Sequence, residues 1–215
     1  MPKVGMEPVR RKALVDAALK TIGHHGSLTV TMSEIAREAG VSAALAHHYF
    51  GSKDQLLIAT IRSLLRQLRA DAGAALAAAE TPRERISAVI RISFNADQFD
   101  PDVVAAWLAF YSEAQRSEEV RRLLALYARR LQSNLMSGLR PLCEAEDAGR
   151  IADGAAAMID GLYIRQSLKA APLSIDASVA LVEDYVAGQL RAVHVEHIAP
   201  HPTLSPQAGR GSGNR

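Results

Sequence analysis

Cysteine occurs once in the chain, at Cys143. A single thiol excludes an intrachain disulfide and gives no metal-ligand spacing. The sequence therefore suits a reducing compartment, the cytoplasm, and Cys143 reads as a small buried hydrophobe rather than a nucleophile. Aromatic residues are scarce as well, at 5%. No apolar stretch reaches membrane length, since the alanine-rich run from Gly73 to Ala79 is short and ends at Glu80. The apolar segment of a signal peptide is missing from the N-terminus. So is the alternation of apolar and polar residues that marks a half-buried strand, and so is any internal repeat. Ser-His-Asp, Cys-His, zinc and phosphate-loop spacings are absent too. Catalysis, a metal site and a cofactor are left without residues to carry them.

What remains is helix. Hydrophobic content of 48% with 22% charged residues is that of a soluble globular protein. At 215 residues the chain can bury a large core, as one helical domain or as a small one joined to a larger one. Net charge is only +2, but it is unevenly spread. Up to Lys53 seven Lys or Arg face four acids, a local +3, and four of the seven histidines lie there too. A basic end on a near-neutral chain suits a nucleic-acid module attached to something else.

That end carries a specific pattern between Thr31 and Lys53, T-M-S-E-I-A-R-E-A-G-V-S-A-A-L-A-H-H-Y-F-G-S-K. Thr31 and Glu34 have capping-box spacing, and Ile35, Ala36 and Ala39 form one apolar face. Gly40 ends this short helix, Val41 fills the corner and Ser42 caps the next. The arrangement is a helix-turn-helix, which lays its second helix in a major groove. On that helix, Ala43 to Phe50, the spacing turns Leu45, Ala46 and Phe50 inward. Ala43, Ala44, His47 and His48 share the other face. Small residues allow close approach to DNA, and the imidazoles and the Tyr49 hydroxyl can hydrogen-bond phosphates or base edges. Lys53 opens the following helix where its ammonium can meet a phosphate. Arg10 and Arg11, at the start of an amphipathic stretch from Arg10 to Ile22, suit the same backbone or a solvated turn. Gly23 and Gly26 are expected to end that stretch.

Beyond Ser52 a long helix carries Leu57, Ile61, Leu64, Leu65 and Leu68 toward Ala79 and forms the natural mechanical link. Thr81-Pro82-Arg83-Glu84, Asp100-Pro101 and Ser117-Glu118-Glu119 open further helices. Arg150–Lys169 is a helix rich in small residues, and Ser174 caps a last one ending near Leu190. The Pro/Gly/Ser-rich remainder, 191–215, is expected to be disordered.

Aromatics gather in the later part of the chain. Trp107, Phe110 and Tyr111 stand at i, i+3 and i+4 and project from one helix face. Phe94 with Gln98, and Tyr163 with Asp160, can converge on the same volume. Aromatic faces attract cations and are the best receptors for a quaternary ammonium, while Asp97 or Asp160 can add a counter-charge. From spacing alone such a stripe belongs more often to a core than to a ligand box.

The segment E-I-A-R-E-A-G-V-S together with H-Y-F-G-S-K-D-Q-L-L resembles the DNA-binding end of the TetR family of bacterial repressors. From Met1 to about Leu190 the chain is similar to the choline-sensing repressors of glycine-betaine synthesis within that family, the BetI type. M-P-K-V-G-M, W-L-A-F-Y, R-R-L-Q-S-N-L-M-S-G-L-R and I-D-G-L-Y-I-R-Q-S-L carry the likeness. It departs where Tyr111 and Tyr163 replace the more usual Trp. The resemblance implies an all-α homodimer in which residues 1–53 bind a palindromic double-stranded operator and 54–190 sense an effector and dimerise. The implied effector is choline or a related quaternary ammonium. Its binding would release genes for glycine-betaine synthesis and choline uptake. Two alternatives stay open: a repressor answering another cationic or lipophilic ligand, and a helical ligand-binding protein that never meets DNA.

Overall fold

The helix starts follow from polar caps and the stops from glycine and proline. A computed structural model describes residues 5–168 and 173–198, with side chains described through His194. The described residues form helices and no strands. They are α1 (Met6–His25), α2 (Met32–Glu38), α3 (Ala43–Phe50), α4 (Lys53–Ala78), α5 (Pro82–Ser93), α6 (Pro101–Glu113), α7 (Glu118–Leu139), α8 (Ala145–Ser167) and α9 (Ile175–Ile198). Thr31–Glu34 and Thr81–Glu84 are both reciprocal capping boxes. Ser42, Ser52, Asp100 and Ser117 accept hydrogen bonds from amides of their first turns. Each such cap stabilises its helix by about 0.5–2 kcal/mol.

Four sequence expectations about helix bounds need correction. The first helix begins at Met6, so Arg10, Arg11 and Lys12 lie inside it rather than at its N-terminus. Gly23 does not end it either. It sits within α1 because helix α6 passes directly over it, and Gly26, at φ 62°, supplies the left-handed stop. At the far end α9 continues past Leu190 to Ile198, which takes 191–198 out of the expected tail. Residues 199–215 lie outside the described residues, as does Lys169, while α8 starts before Arg150, at Ala145.

Helices α1, α2 and α3 pack around Leu14, Ile22, Ile35 and Ala46, all fully buried, with α1 also lying against α4 and α6. The α2–α3 corner closes through Gly40 at φ 66° and through the Val41 amide donating to the Ala36 carbonyl at 2.9 Å. Helix α4 then runs from this unit into the rest of the molecule, burying Leu56, Leu57, Ile61, Leu64 and Leu65. Beyond it α5, α6, α7 and α8 surround Phe94, Phe110, Leu135, Leu139 and Ile159, and α9 covers α8 and α5. The buried apolar residues form one continuous cluster from the helix-turn-helix to the last helices. A displacement inside the larger bundle therefore bears on the smaller one through packed side chains.

Candidate DNA-binding surface and effector pocket

On α3 the Ser42 hydroxyl accepts from the Leu45 amide at 3.1 Å, which sets the helix at the Gly40 corner. Ala44, His47 and His48 are exposed along its outer face. Ala43 is half-buried against the core and so sits less outward than the spacing implies. His47 Nδ1 lies 3.0 Å from the Gly51 carbonyl, and the His48 and Tyr49 rings are 5.5 Å apart. Thr31 is exposed at the α2 cap and Arg10 is exposed on α1.

Two of the basic residues hold the unit together. The Arg11 guanidinium donates to the Tyr49 carbonyl and lies over the Phe50 ring, 4.4 Å from its centroid. This ties α1 to the C-terminal turn of α3. Lys53 Nζ donates to the Leu28 carbonyl at 3.1 Å, fixing the α1–α2 loop to the start of α4. An ammonium has three donors, so two remain for a phosphate. The Glu34 carboxyl is held below its usual range, chiefly by the Thr31 amide and then by the Thr31 hydroxyl, so the cap stays charged.

The second site lies between α6, α7 and α8. A cavity of about 220 Å³ is lined by Trp107, Leu108, Tyr111, Tyr127, Asp160, Tyr163 and Ile164. Trp107 and Tyr111 come from one face of α6, their rings 6.3 Å apart, and Tyr127 from α7 stands 5.0 Å from Trp107. Asp160 and Tyr163, one turn apart on α8, close the remaining side. The Tyr111 hydroxyl donates to Asp160 Oδ1 at 3.2 Å. No basic residue lines this space.

The other expected residues stand behind or away from the cavity. Gln98 is buried and accepts from Trp107 Nε1 at 3.4 Å, which fixes the indole. Phe94 stacks on Tyr163 with centroids 6.1 Å apart, and Phe99 braces both edge-on. Phe110 is fully buried and packs into the core instead. Asp97 is exposed in the turn after α5 and gives the cavity no charge.

Tyr127 is the residue that sequence reasoning missed. Its place between Leu124 and Leu131 on an amphipathic helix reads as core, and only the fold sets its ring against Trp107.

Electrostatics follow from this burial. Desolvation pushes the Asp160 carboxyl up, and the Tyr111 hydroxyl hydrogen bond opposes that only in part. Burial first, and the Asp160 charge second, push the Tyr111, Tyr127 and Tyr163 hydroxyls up as well. The pocket thus sets one poorly solvated carboxyl among electron-rich ring faces.

Comparison with known proteins places the chain. Residues 14–60 match the model of bacterial regulatory proteins of the tetR family, and residues 82–191 match the BetI-type transcriptional repressor C-terminal domain. The chain belongs to the TetR family of transcriptional repressors, in its BetI-type branch. A Rhizobium meliloti (strain 1021) protein named HTH-type transcriptional regulator BetI is 79% identical over 192 residues, 89% of this chain and 95% of its own length. The Agrobacterium fabrum protein of the same name is 71% identical over 192 residues, 89% of this chain and 93% of its own. Among solved structures, a transcriptional regulator from Pseudomonas aeruginosa PAO1 superposes with TM-score 0.75 at 27% identity, covering 88% of this chain and 94% of its own. A regulator from Saccharomonospora viridis, solved in complex with choline, shares the fold with TM-score 0.71 at 22% identity, covering 82% and 95%. The relatives are regulators, not enzymes, and this chain is a DNA-binding repressor of the same kind.

Proposed function

We propose that this repressor is released from its operator by choline, and so controls genes for glycine-betaine synthesis and choline uptake in the cytoplasm. The observation that carries the reading is the pocket of Trp107, Tyr111, Tyr127 and Tyr163 around Asp160, with no basic residue in its lining. A trimethylammonium has no N–H to donate. It gains from ring faces, about 0.5–2 kcal/mol at each well-placed ring, and from a nearby carboxylate. At about 220 Å³ the cavity falls below the roughly 300–1,000 Å³ typical of drug-sized ligands, which favours a small cation. The naming of the BetI relatives and the choline complex of the S. viridis regulator support the same assignment.

On the DNA side, Ala44, His47 and His48 face the major groove, with Arg10, Thr31, Ser42, Tyr49 and Lys53 at the flanking phosphates and Ala43 at the close approach. Arg11 serves by holding α3 in place. Residues up to Lys53 bind DNA, and the chain from there to about Leu190 senses and pairs with a second copy on a palindromic operator.

Only a difference in choline affinity between the DNA-competent and released conformations can drive release. The test is a titration of choline and ethanolamine into the preformed complex of the full chain with DNA from upstream of its own gene. Choline should dissociate the complex and ethanolamine should not, because its hydrated N–H groups find no partner on a ring face. Trp107→Ala should bind operator normally and ignore choline, whereas His48→Ala should fail to form the complex. Equal release by ethanolamine, or normal release of Trp107→Ala, overturns the assignment of the ligand.

A further inference from the structure

A second cavity, of about 300 Å³, lies between α4, α5 and α7 and shares only Tyr127 with the lining of the aromatic pocket. Its walls are apolar: Leu65, Leu68 and Leu76 from α4, Val89 and Ile92 from α5, and Leu131 from α7. Its charges are the reverse of those next door. Arg69 and Arg130 line it, and no acidic residue does. Neither guanidinium has an ion pair or hydrogen bond among the described residues, although Arg62, two turns earlier on α4, is paired with Glu119 at 2.9 Å. Two basic groups beside apolar walls match a ligand with a carboxylate head and a hydrocarbon body.

Gly73 is the independent sign that this space is kept open. It lies in the interior of α4, where glycine costs roughly 0.5–1 kcal/mol relative to alanine. Gly23, Gly138 and Gly154 make room for a neighbouring helix, whereas a Cβ at Gly73 would meet no atom within 4 Å and would stand in the cavity that Gly73 lines. The missing side chain enlarges the cavity and serves no packing contact.

We propose that this cavity is a second effector site, which takes a small amphiphilic carboxylate, held by Arg69 and Arg130. The site is separate from the aromatic pocket but shares Tyr127 with it, and it is walled by the helix that leads to the DNA-binding unit. Its failure would leave the choline assignment untouched, because the two sites use different residues apart from Tyr127.

The test uses the full chain and octanoate as the probe, followed by calorimetry, with octanol as the neutral comparison and choline as the control for the other pocket. Octanoate should bind saturably and at least about tenfold more tightly than octanol, as expected when charged hydrogen bonds hold the head group. The double variant Arg69→Gln/Arg130→Gln should lose about tenfold or more for octanoate and nothing for choline. Arg69 is exposed and Arg130 half-buried, and neither pairs with another side chain among the described residues, so this variant keeps the fold. Gly73→Leu, growing into the void, should exclude octanoate as well, and the arginine pair decides even where that substitution disturbs α4. Absence of saturable octanoate binding, equal binding of octanol, an unaffected double variant, or one-for-one displacement of choline by octanoate would each overturn the second site.

Discussion

At the scale of single residues, Asp160 carries a conflict between stability and binding. Its carboxyl is raised above the ordinary aspartate value by burial, and a hydrogen bond from Tyr111 offsets this incompletely. A raised folded-state value means that the empty fold prefers the neutral acid. The contribution to stability is fully present below the unfolded value near 3.8 and is lost as pH rises through the raised one. As pH rises through the raised value the ligand-free pocket gains an unfavourable charge, which a bound cation would neutralise. Asp160→Asn should raise the melting temperature of the ligand-free protein at pH 7 and weaken choline binding. It should also abolish the decline of choline affinity expected of the parent on acidification toward the raised value. Thermal unfolding and calorimetry across pH check all three, and a variant both less stable and equally tight for choline would refute the argument. Spacing along the chain offers no means of choosing between Asp97 and Asp160, since both are carboxylates near aromatics. Burial separates them. Tyr127 was illegible for the converse reason, as a ring at core spacing whose partner lies on another helix.

At the scale of elements, the helix starts were legible because caps are local. Thr31, Ser42, Ser52, Thr81, Asp100 and Ser117 each satisfy amides within their own first turns, so the chemistry that starts the helix sits beside it in the chain. Gly23 was misread because its reason is tertiary. A Cβ there would lie 2.5 Å from Asp102 Cα and 2.6 Å from the Asp102 carbonyl oxygen, atoms of the first turn of α6 that cannot step aside cheaply. His24 Nε2 is 3.2 Å from Asp102 Oδ2 at the same crossing. Since α6 also carries Trp107 and Tyr111, the pocket reaches the DNA-binding unit through α1 as well as through α4. Two identical substitutions should then have opposite signs. Gly23→Ala forces α1 and α6 apart and should cost about 1–3 kcal/mol as an overpacked contact. Gly73→Ala meets nothing and should stabilise by about 0.4–1 kcal/mol through helix propensity and the unfolded chain. Urea unfolding of both measures the contrast, and equal effects at the two positions would disprove it.

At the scale of the whole molecule, the single subunit leaves an apolar face uncovered where a second copy is proposed to sit. Ile164 on α8 and Leu168 at its C-cap are 52% and 69% exposed, and Leu181 on α9 is 45% exposed. Contacts inside the subunit do not account for them, unlike Gly154, whose small size lets the Tyr185 ring close over α8. Gly161, on the same helix, would meet nothing within 4 Å if it carried a Cβ, which leaves its backbone open to a crossing helix. Large exposed aliphatics beside small residues suit a face that closes against itself by a twofold axis. The same axis would present two α3 helices to half-sites about one turn of DNA, or a multiple, apart. Leu168→Glu with Leu181→Glu puts like charges across such an interface, and neither residue lines the aromatic pocket. The double variant should keep its helical signal and its choline affinity, and light scattering should find it at half the parent mass. Its operator affinity should fall by about 10²–10⁴, the advantage of having the second recognition helix already tethered. With half the phosphate contacts, its salt dependence should also be close to half as steep. A variant that stays dimeric rules out this face as the interface. A monomer that binds operator as the parent does would show instead that one recognition helix suffices, and the palindrome would lose its physical reason.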